Sequence, residues 1–215
     1  AIAEAVAAGA TLVGDVELFA RRLPVGQKVI AITGTNGKTT VTALAGALAG
    51  AAGLATTVAG NIGTPVLDVL AKHEDGAPWP DLFVLELSSY QLETTSSLDV
   101  AAATVLNVSP NHLDRYAGVV DYAAAKARIF TRASVQVINR DDPDVVALIP
   151  QPMPGKGRFA KPQERSVVRF GLDAPQRPGD FGLIVESGIA WLVRAMEADE
   201  TIKRKRGAVV EEDLV

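Results

Sequence analysis

The sequence predicts an α/β fold, a mostly parallel sheet with helices on both faces. Three observations carry that expectation. Short apolar, β-branched runs recur along the chain, helix-length segments separate them, and polar or glycine-rich clusters follow several of the runs. At 215 residues the chain suits one domain or slightly more. With 48% hydrophobic and 21% charged residues it has the apolar material for a substantial core. Strands alternating with helices over about 110 residues imply right-handed crossovers and a sheet covered on both sides. In such sheets ligands bind beyond the carboxyl ends of the strands.

Residues 29–33 (VIAIT) are a continuous β-branched run that reads as a buried strand. Residues 39–52 follow as a helix with Val41, Leu44 and Leu48 on one face, and Gly53 stops it. Residues 54–59, 82–87 (LFVLEL), 101–108 (AAATVLNV) and 135–139 (VQVIN) are further strands, and 65–72 and 121–131 further helices. The segments 60–63 (GNIG) and 88–93 (SSYQLE) read locally as polar turns after strands. Beyond Pro143 the character changes. Residues 150–162 are a Pro/Gly-rich loop, and 182–193 (GLIVESGIAWLV) form a small β-hairpin turning at Glu-Ser-Gly. The basic run 203–206 (KRKR) reads as a solvated loop or strand edge, and 209–215 adds no closing element.

A net charge of −4 and a pI near 5.3 argue against nucleic acid or an anionic membrane as partner. The absence of Cys excludes disulfides and thiolate zinc sites. Residues 39–67 carry no charge, and Gly46 and Gly50 have the spacing of a membrane-helix dimer motif. Ala, Gly and Thr dominate there, however, and Gly53, Gly60, Gly63 and Pro65 interrupt the run. A small-residue helix packed inside an α/β domain is the better account. The N-terminus has no charged segment leading into an apolar core, so a cytoplasmic location is expected.

The segment 31–40 (AITGTNGKTT) joins a strand to a helix through a glycine-rich turn. Ile32 stands where the general phosphate-loop pattern wants its first glycine, yet the context is right. Gly34 and Gly37 let backbone N–H groups face inward at a helix N-terminus. Lys38 supplies a point charge for outer phosphates, the Thr39 hydroxyl is a Mg²⁺ ligand type, and Thr35 and Asn36 add hydrogen-bonding side chains. The bland alternative is a tight turn with a snorkelling lysine. A dinucleotide site fits worse, because G-x-G-x-x-G is missing.

Glu86 sits in an apolar strand, where a carboxylate needs a partner or a metal unless the strand is an exposed edge. His112, in 107–116 (NVSPNHLDRY), is by itself either a metal ligand or a capping loop residue, and Asp114 and Arg115 either belong to a site or simply pair. Lys126, in 122–130 (YAAAKARIF), reads alone as a solvated helix lysine.

Taken together, GTNGKTT, AGNIGTP, VLELSSYQLETTSSL, LNVSPNHLDRY and YAAAKARIF resemble the Mur ligases in order and spacing. VGDVELF at 13–19 resembles them too, and the loop by itself also suits folylpolyglutamate synthetases. The resemblance implies a P-loop NTPase-like central domain that uses ATP and two Mg²⁺ ions for amide formation. ELSSYQLE with NHLDRY points to the member joining D-glutamate to UDP-N-acetylmuramoyl-L-alanine in peptidoglycan synthesis. The acceptor carboxylate would form an acyl phosphate that the amino-acid amine then attacks.

By the same resemblance, Gly34, Thr35, Asn36, Gly37, Lys38, Thr39 and Thr40 hold the nucleotide, with Lys38, His112 and Lys126 in catalytic roles. Thr39 and Glu86 bind the first metal, and His112 with a carbamylated Lys126 the second. Asn61 and Ser88 lie at the phosphate and muramoyl end. Residues 1–24 are expected to be a remnant of a UDP-substrate domain, and 25–215 the central domain without its last part. A C-terminal ligase domain is expected to be missing, so that the 215 residues alone do not turn over. A monomer is favoured. The alternatives are another Mur-type or folylpolyglutamate-type ligase, or a regulatory nucleotide-binding module.

Overall fold

The computed structural model describes residues 2–150 and 166–197. Apart from Pro150, the expected loop at 150–162, the basic run at 203–206 and residues 209–215 lie outside the described residues. The described strands are β1 (Lys28–Thr33), β2 (Thr56–Gly60), β3 (Leu82–Glu86), β4 (Val100–Val105), β5 (Ala133–Asn139), β6 (Ser166–Phe170), β7 (Phe181–Glu186) and β8 (Ile189–Arg194). They form one sheet in the order β2-β3-β1-β4-β5-β6-β7-β8. Every pair is parallel except β7 with β8. The helices are α1 (Ile2–Ala7), α2 (Asp15–Arg22), α3 (Lys38–Ala51), α4 (Val66–Glu74), α5 (Ser89–Glu93), α6 (Val119–Ala127) and α7 (Pro143–Val146).

The period-2 geometry of the strands divides the core into two layers. Val29, Ala31, Phe83, Leu85 and Leu87 point to one face, where α2, α4, α5, α6 and α7 bring Phe19, Val69, Leu92, Tyr122 and Val145. Ile32, Leu82 and Val84 point to the other, against Val41, Ala45 and Ala49 of α3. The expected two-sided covering is therefore present.

Two expectations about helices are corrected. Leu44 and Leu48 do not face the core, being 56% and 62% exposed. The buried stripe of α3 is instead Thr42 and Gly46, and a Cβ on Gly46 would overlap the Val58 side chain. Small residues let α3 lie close on the sheet, so the apolar pattern does not mark the buried face. Residues 88–93 are not merely a polar turn, because Ser89–Glu93 is helical. The Ser88 hydroxyl accepts from the Gln91 N–H while the Gln91 side chain accepts from the Ser88 N–H, a capping box written as S-x-x-Q.

The hairpin forms where expected, with Ser187 and Gly188 both at positive φ as its two-residue turn requires. It extends the main sheet through β6, a strand the sequence reading does not include. Among the described residues no helix is long and apolar enough to cross a membrane.

Candidate functional site

The strand order places β1 between β3 and β4, with the crossover to β2 running to one side of it and the later crossover from β3 to β4 running to the other. That makes the carboxyl end of β1 a switch point, where a crevice opens for ligands. The loop 34–37 lies there, with α3 starting at Lys38 on one face of the sheet and α6 arriving on the other.

Gly37 has φ 77°, a left-handed conformation that swings the chain into α3 without a Cβ clash. The N–H groups of Lys38, Thr39 and Thr40 open the helix and have no intrahelical acceptor, while Val41 N–H already reaches Gly37 O. Thr35 and Asn36 do something else. Their N–H groups donate to Asn107 Oδ1 at 3.1 and 2.8 Å, and Asn107 Nδ2 donates back to Asn36 O at 3.1 Å. The Thr35 hydroxyl is tied to Ser109. The front of the loop is thus clamped to the end of β4, and the N–H groups without an intrahelical acceptor are those that open α3. Lys38 Nζ folds over the loop onto Thr35 O at 3.0 Å.

Glu86 is 2% exposed, in a strand paired on both sides, so the exposed-edge alternative is excluded. Its Oε2 accepts from the Thr39 hydroxyl and its Oε1 from Asn61 Nδ2, each at 2.9 Å. Asn61 N–H also donates to Glu86 O at 2.8 Å. Gly60 permits that approach, because it has φ 110° and a Cβ there would overlap Glu86 O. A carboxylate so buried, with two neutral donors and no ion-pair partner among the described residues, has room in its electrostatics for a cation. Among the described residues no three His, Asp or Glu side chains gather as a metal cluster. One carboxylate, a hydroxyl and phosphate oxygens are, however, the usual donor set for Mg²⁺.

Lys126 overturns the reading of a solvated helix lysine. It is 1% exposed, and its Nζ donates to Gly34 O at 2.8 Å and approaches Thr33 Oγ1 at 3.4 Å. The ammonium also lies 4.5 Å from the centre of the Tyr122 ring. Burial, with the charge of Lys38 behind it, pulls its pKa down to about 7. α6 carries it inward because Tyr122, Ala123 and Ala125 bury the same side of the helix.

His112 has φ 53° and hydrogen-bonds to the Tyr90 hydroxyl through Nδ1 at 2.8 Å. Asp114 is exposed, and Arg115 pairs with Glu93 rather than with Asp114. A cavity of about 240 Å³ gathers Thr35, Lys38, Asn61, Ser88, His112 and Lys126. Tyr90, Asn107 and Tyr122 are site residues that the sequence reading does not single out. Asn107 had a usable signal, since it is a polar residue at the carboxyl end of an expected parallel strand, where ligands bind.

Residues 32–175 match the Mur ligase middle domain. The chain is 48% identical over 86% of its length to the UDP-N-acetylmuramoylalanine–D-glutamate ligase of Albidiferax ferrireducens, covering 36% of that protein. Against the ligase of the same name from Thiobacillus denitrificans it is 53% identical over 85% of its length, covering 39%. It therefore spans little more than a third of these curated relatives. Among solved structures, the MurF ligase of Thermotoga maritima in complex with ADP shares the fold at TM-score 0.58 and 21% identity, over 85% of this chain and 42% of that one. E. coli FolC in complex with DHPP and ADP does so at TM-score 0.55 and 16% identity, over 85% of this chain and 51% of that one. The chain belongs to the Mur ligase middle-domain family.

Proposed function

We propose that this chain is the ATP-binding part of a ligase that joins D-glutamate to UDP-N-acetylmuramoyl-L-alanine. The observation that carries the reading is the convergence of Lys38, Asn61, Ser88, His112 and Lys126 on one cavity beside the Thr39–Glu86 pair. The relatives' names supply the substrates. The N–H groups of Lys38, Thr39 and Thr40 receive the phosphates at the positive end of α3, and Gly34 and Gly37 shape the turn. Lys38 unfolds from Thr35 O to neutralise the outer phosphates. Thr35 and Asn36 keep the turn rigid through Asn107.

Thr39 and Glu86 would hold a Mg²⁺ ion, and Asn61 orients the carboxylate. When bound, the ion supplies charge neutralisation for bringing the acceptor carboxylate to the terminal phosphate. Asn61 and Ser88 flank the acceptor side of the cavity. At its depressed pKa much of Lys126 is the neutral amine near pH 7. That amine can add to CO₂ with release of one proton, and the resulting carbamate anion would, with His112, hold a second Mg²⁺. The reading carries with it a cytoplasmic location and a monomeric enzyme.

The test is amino-acid-dependent ADP formation by the full-length protein. D-glutamate with UDP-N-acetylmuramoyl-L-alanine is expected to support it. A diamino acid with the glutamylated acceptor, or L-glutamate with a folate, is not. Turnover with either of those and none with D-glutamate would overturn the assignment.

A further inference from the structure

We propose that Tyr90 is the positioning residue for His112, its hydroxyl oxygen accepting the Nδ1 proton so that Nε2 is the bare nitrogen offered to the cavity. The inference rests on His112 being a metal ligand, as proposed above, and adds the group that equips it for that role. A neutral imidazole carries one proton, so a lone pair on Nε2 requires the proton on Nδ1. The Tyr90 oxygen, at 2.8 Å, is the group that meets Nδ1. Tyr90 is 39% exposed, so its own proton has water to donate to and a lone pair remains for the imidazole.

The phenol is held in place from several directions. The Arg115 guanidinium lies 4.7 Å from its ring centre, and Tyr116 stacks on it with centroids 6.3 Å apart and planes 17° from parallel. Arg115 and Tyr116 both bond to the carboxylate of Glu93, one turn along α5 from Tyr90. His112 is fixed as firmly. Its N–H donates to Asn111 Oδ1, and its carbonyl accepts from the N–H groups of Arg115 and Tyr116. Tyr122 meets the imidazole edge-on at 5.9 Å while carrying Lys126 on its ring face. Ligating histidines ordinarily give their second N–H to a carboxylate, a carbonyl or water. Here a phenol oxygen stands in that place.

The experiment compares wild-type and Tyr90→Phe full-length protein labelled with ¹⁵N-histidine, with His112 assigned through His112→Gln. Phe keeps the ring contacts with Arg115 and Tyr116, and a thermal melt checks the fold. In the wild type, Nδ1 is expected in the protonated and Nε2 in the unprotonated shift range, with the balance moving toward the other tautomer in Tyr90→Phe. Mn²⁺ should broaden the His112 signals at about 10- to 100-fold lower concentration in the wild type than in the variant. Unchanged nitrogen shifts and an unchanged Mn²⁺ midpoint in Tyr90→Phe would discard Tyr90 and leave His112 as ligand. If Mn²⁺ never broadens His112 in the wild type, the ligand assignment and the role of Tyr90 fall together.

Discussion

Two buried charges define the site at the scale of single residues, and they call for different tests. Glu86 has no ion-pair partner among the described residues, so Glu86→Gln keeps the shape while removing a buried carboxylate. The variant should melt at or above the wild-type temperature, yet lose at least about 10-fold in Mg²⁺-dependent ATP affinity. Calorimetric titration with and without Mg²⁺ reads this, and equal Mg²⁺ dependence in both proteins would remove Glu86 from the metal site. Lys126 behaves in the opposite sense. Its folded pKa, near 7, is below the ordinary 10.5, so between those values the unfolded chain binds more protons. Stability therefore rises with pH across that window, and the penalty is fully present below pH 7. Lys126→Met should flatten that rise in denaturant titrations run from pH 6 to 10, and an unaltered slope would mean the amine is solvated. The residue types at Lys38, Thr39 and Glu86 were legible because a strand, a glycine turn and a helix leave few uses for them. The depth of Lys126 was not, since its spacing on α6 also suits a surface position and its partners, Gly34 and Thr33, lie more than ninety residues away in the chain.

Among the elements, close approach and a buried carboxylate decide the packing. α3 lies on β2 through Gly46 over Val58. Gly46→Ala should cost about 1–3 kcal/mol by overpacking, and adding Val58→Ala should recover part of that loss. Urea melts of the two single variants and the double variant form the cycle, and strict additivity would show that the helix simply shifts away. α2 is anchored by a charge rather than by small residues. Glu17 is buried, which alone would raise its pKa, but N–H donors from Ser96 and Ser97 and the Arg21 guanidinium outweigh this and hold it at about 2. The stabilisation is complete above the ordinary value of 4.5 and is lost as pH falls toward 2. Glu17→Gln should be less stable than wild type at neutral pH and lose less on acidification, read from denaturant midpoints between pH 5 and 2. Identical acid profiles would disprove the anchor. Strands β1 to β5 were visible as runs of apolar, often β-branched residues, within two or three residues of their true ends, whereas β6 was not read at all. The buried side of α3 was not, because Leu44 and Leu48 carry the hydrophobicity while Thr42 and Gly46 carry the contact. α5 was hidden by its shortness, although its S-x-x-Q cap was there to be read.

Taken as a whole, the molecule is a sheet with its chemistry at one end. Loops after β1, β2, β3 and β4 deliver Lys38, Asn61, Ser88 and His112, and α6 delivers Lys126 from beneath. The gathering of the four loops at one end follows from parallel order and so was legible as soon as the strands were, whereas the arrival of Lys126 was not. Which strands adjoin was not, because crossover distance leaves no mark in local sequence, and the continuation of the sheet into β6, β7 and β8 went unread for that reason. The gathered cavity measures about 240 Å³, below the roughly 300–1,000 Å³ of ordinary small-ligand pockets. The proposed nucleotide, nucleotide-linked sugar and amino acid together would need far more wall than this. The relatives are longer, this chain spanning 36% and 39% of two of them, so further walls are expected from the rest of such a protein. The 215 residues expressed alone should accordingly bind Mg²⁺-ATP through the loop and α3. They should release no phosphate when D-glutamate and the acceptor are added. Calorimetry reads the first and a coupled phosphate assay the second. Glutamate-dependent release at the rate of the full-length protein would show that one end of this sheet suffices for the whole reaction. Binding abolished by Lys38→Ala, with no turnover by the 215 residues with or without that substitution, is the expected result, because on the proposed reading the sheet supplies phosphate and metal ligands but encloses only a part of the reacting set.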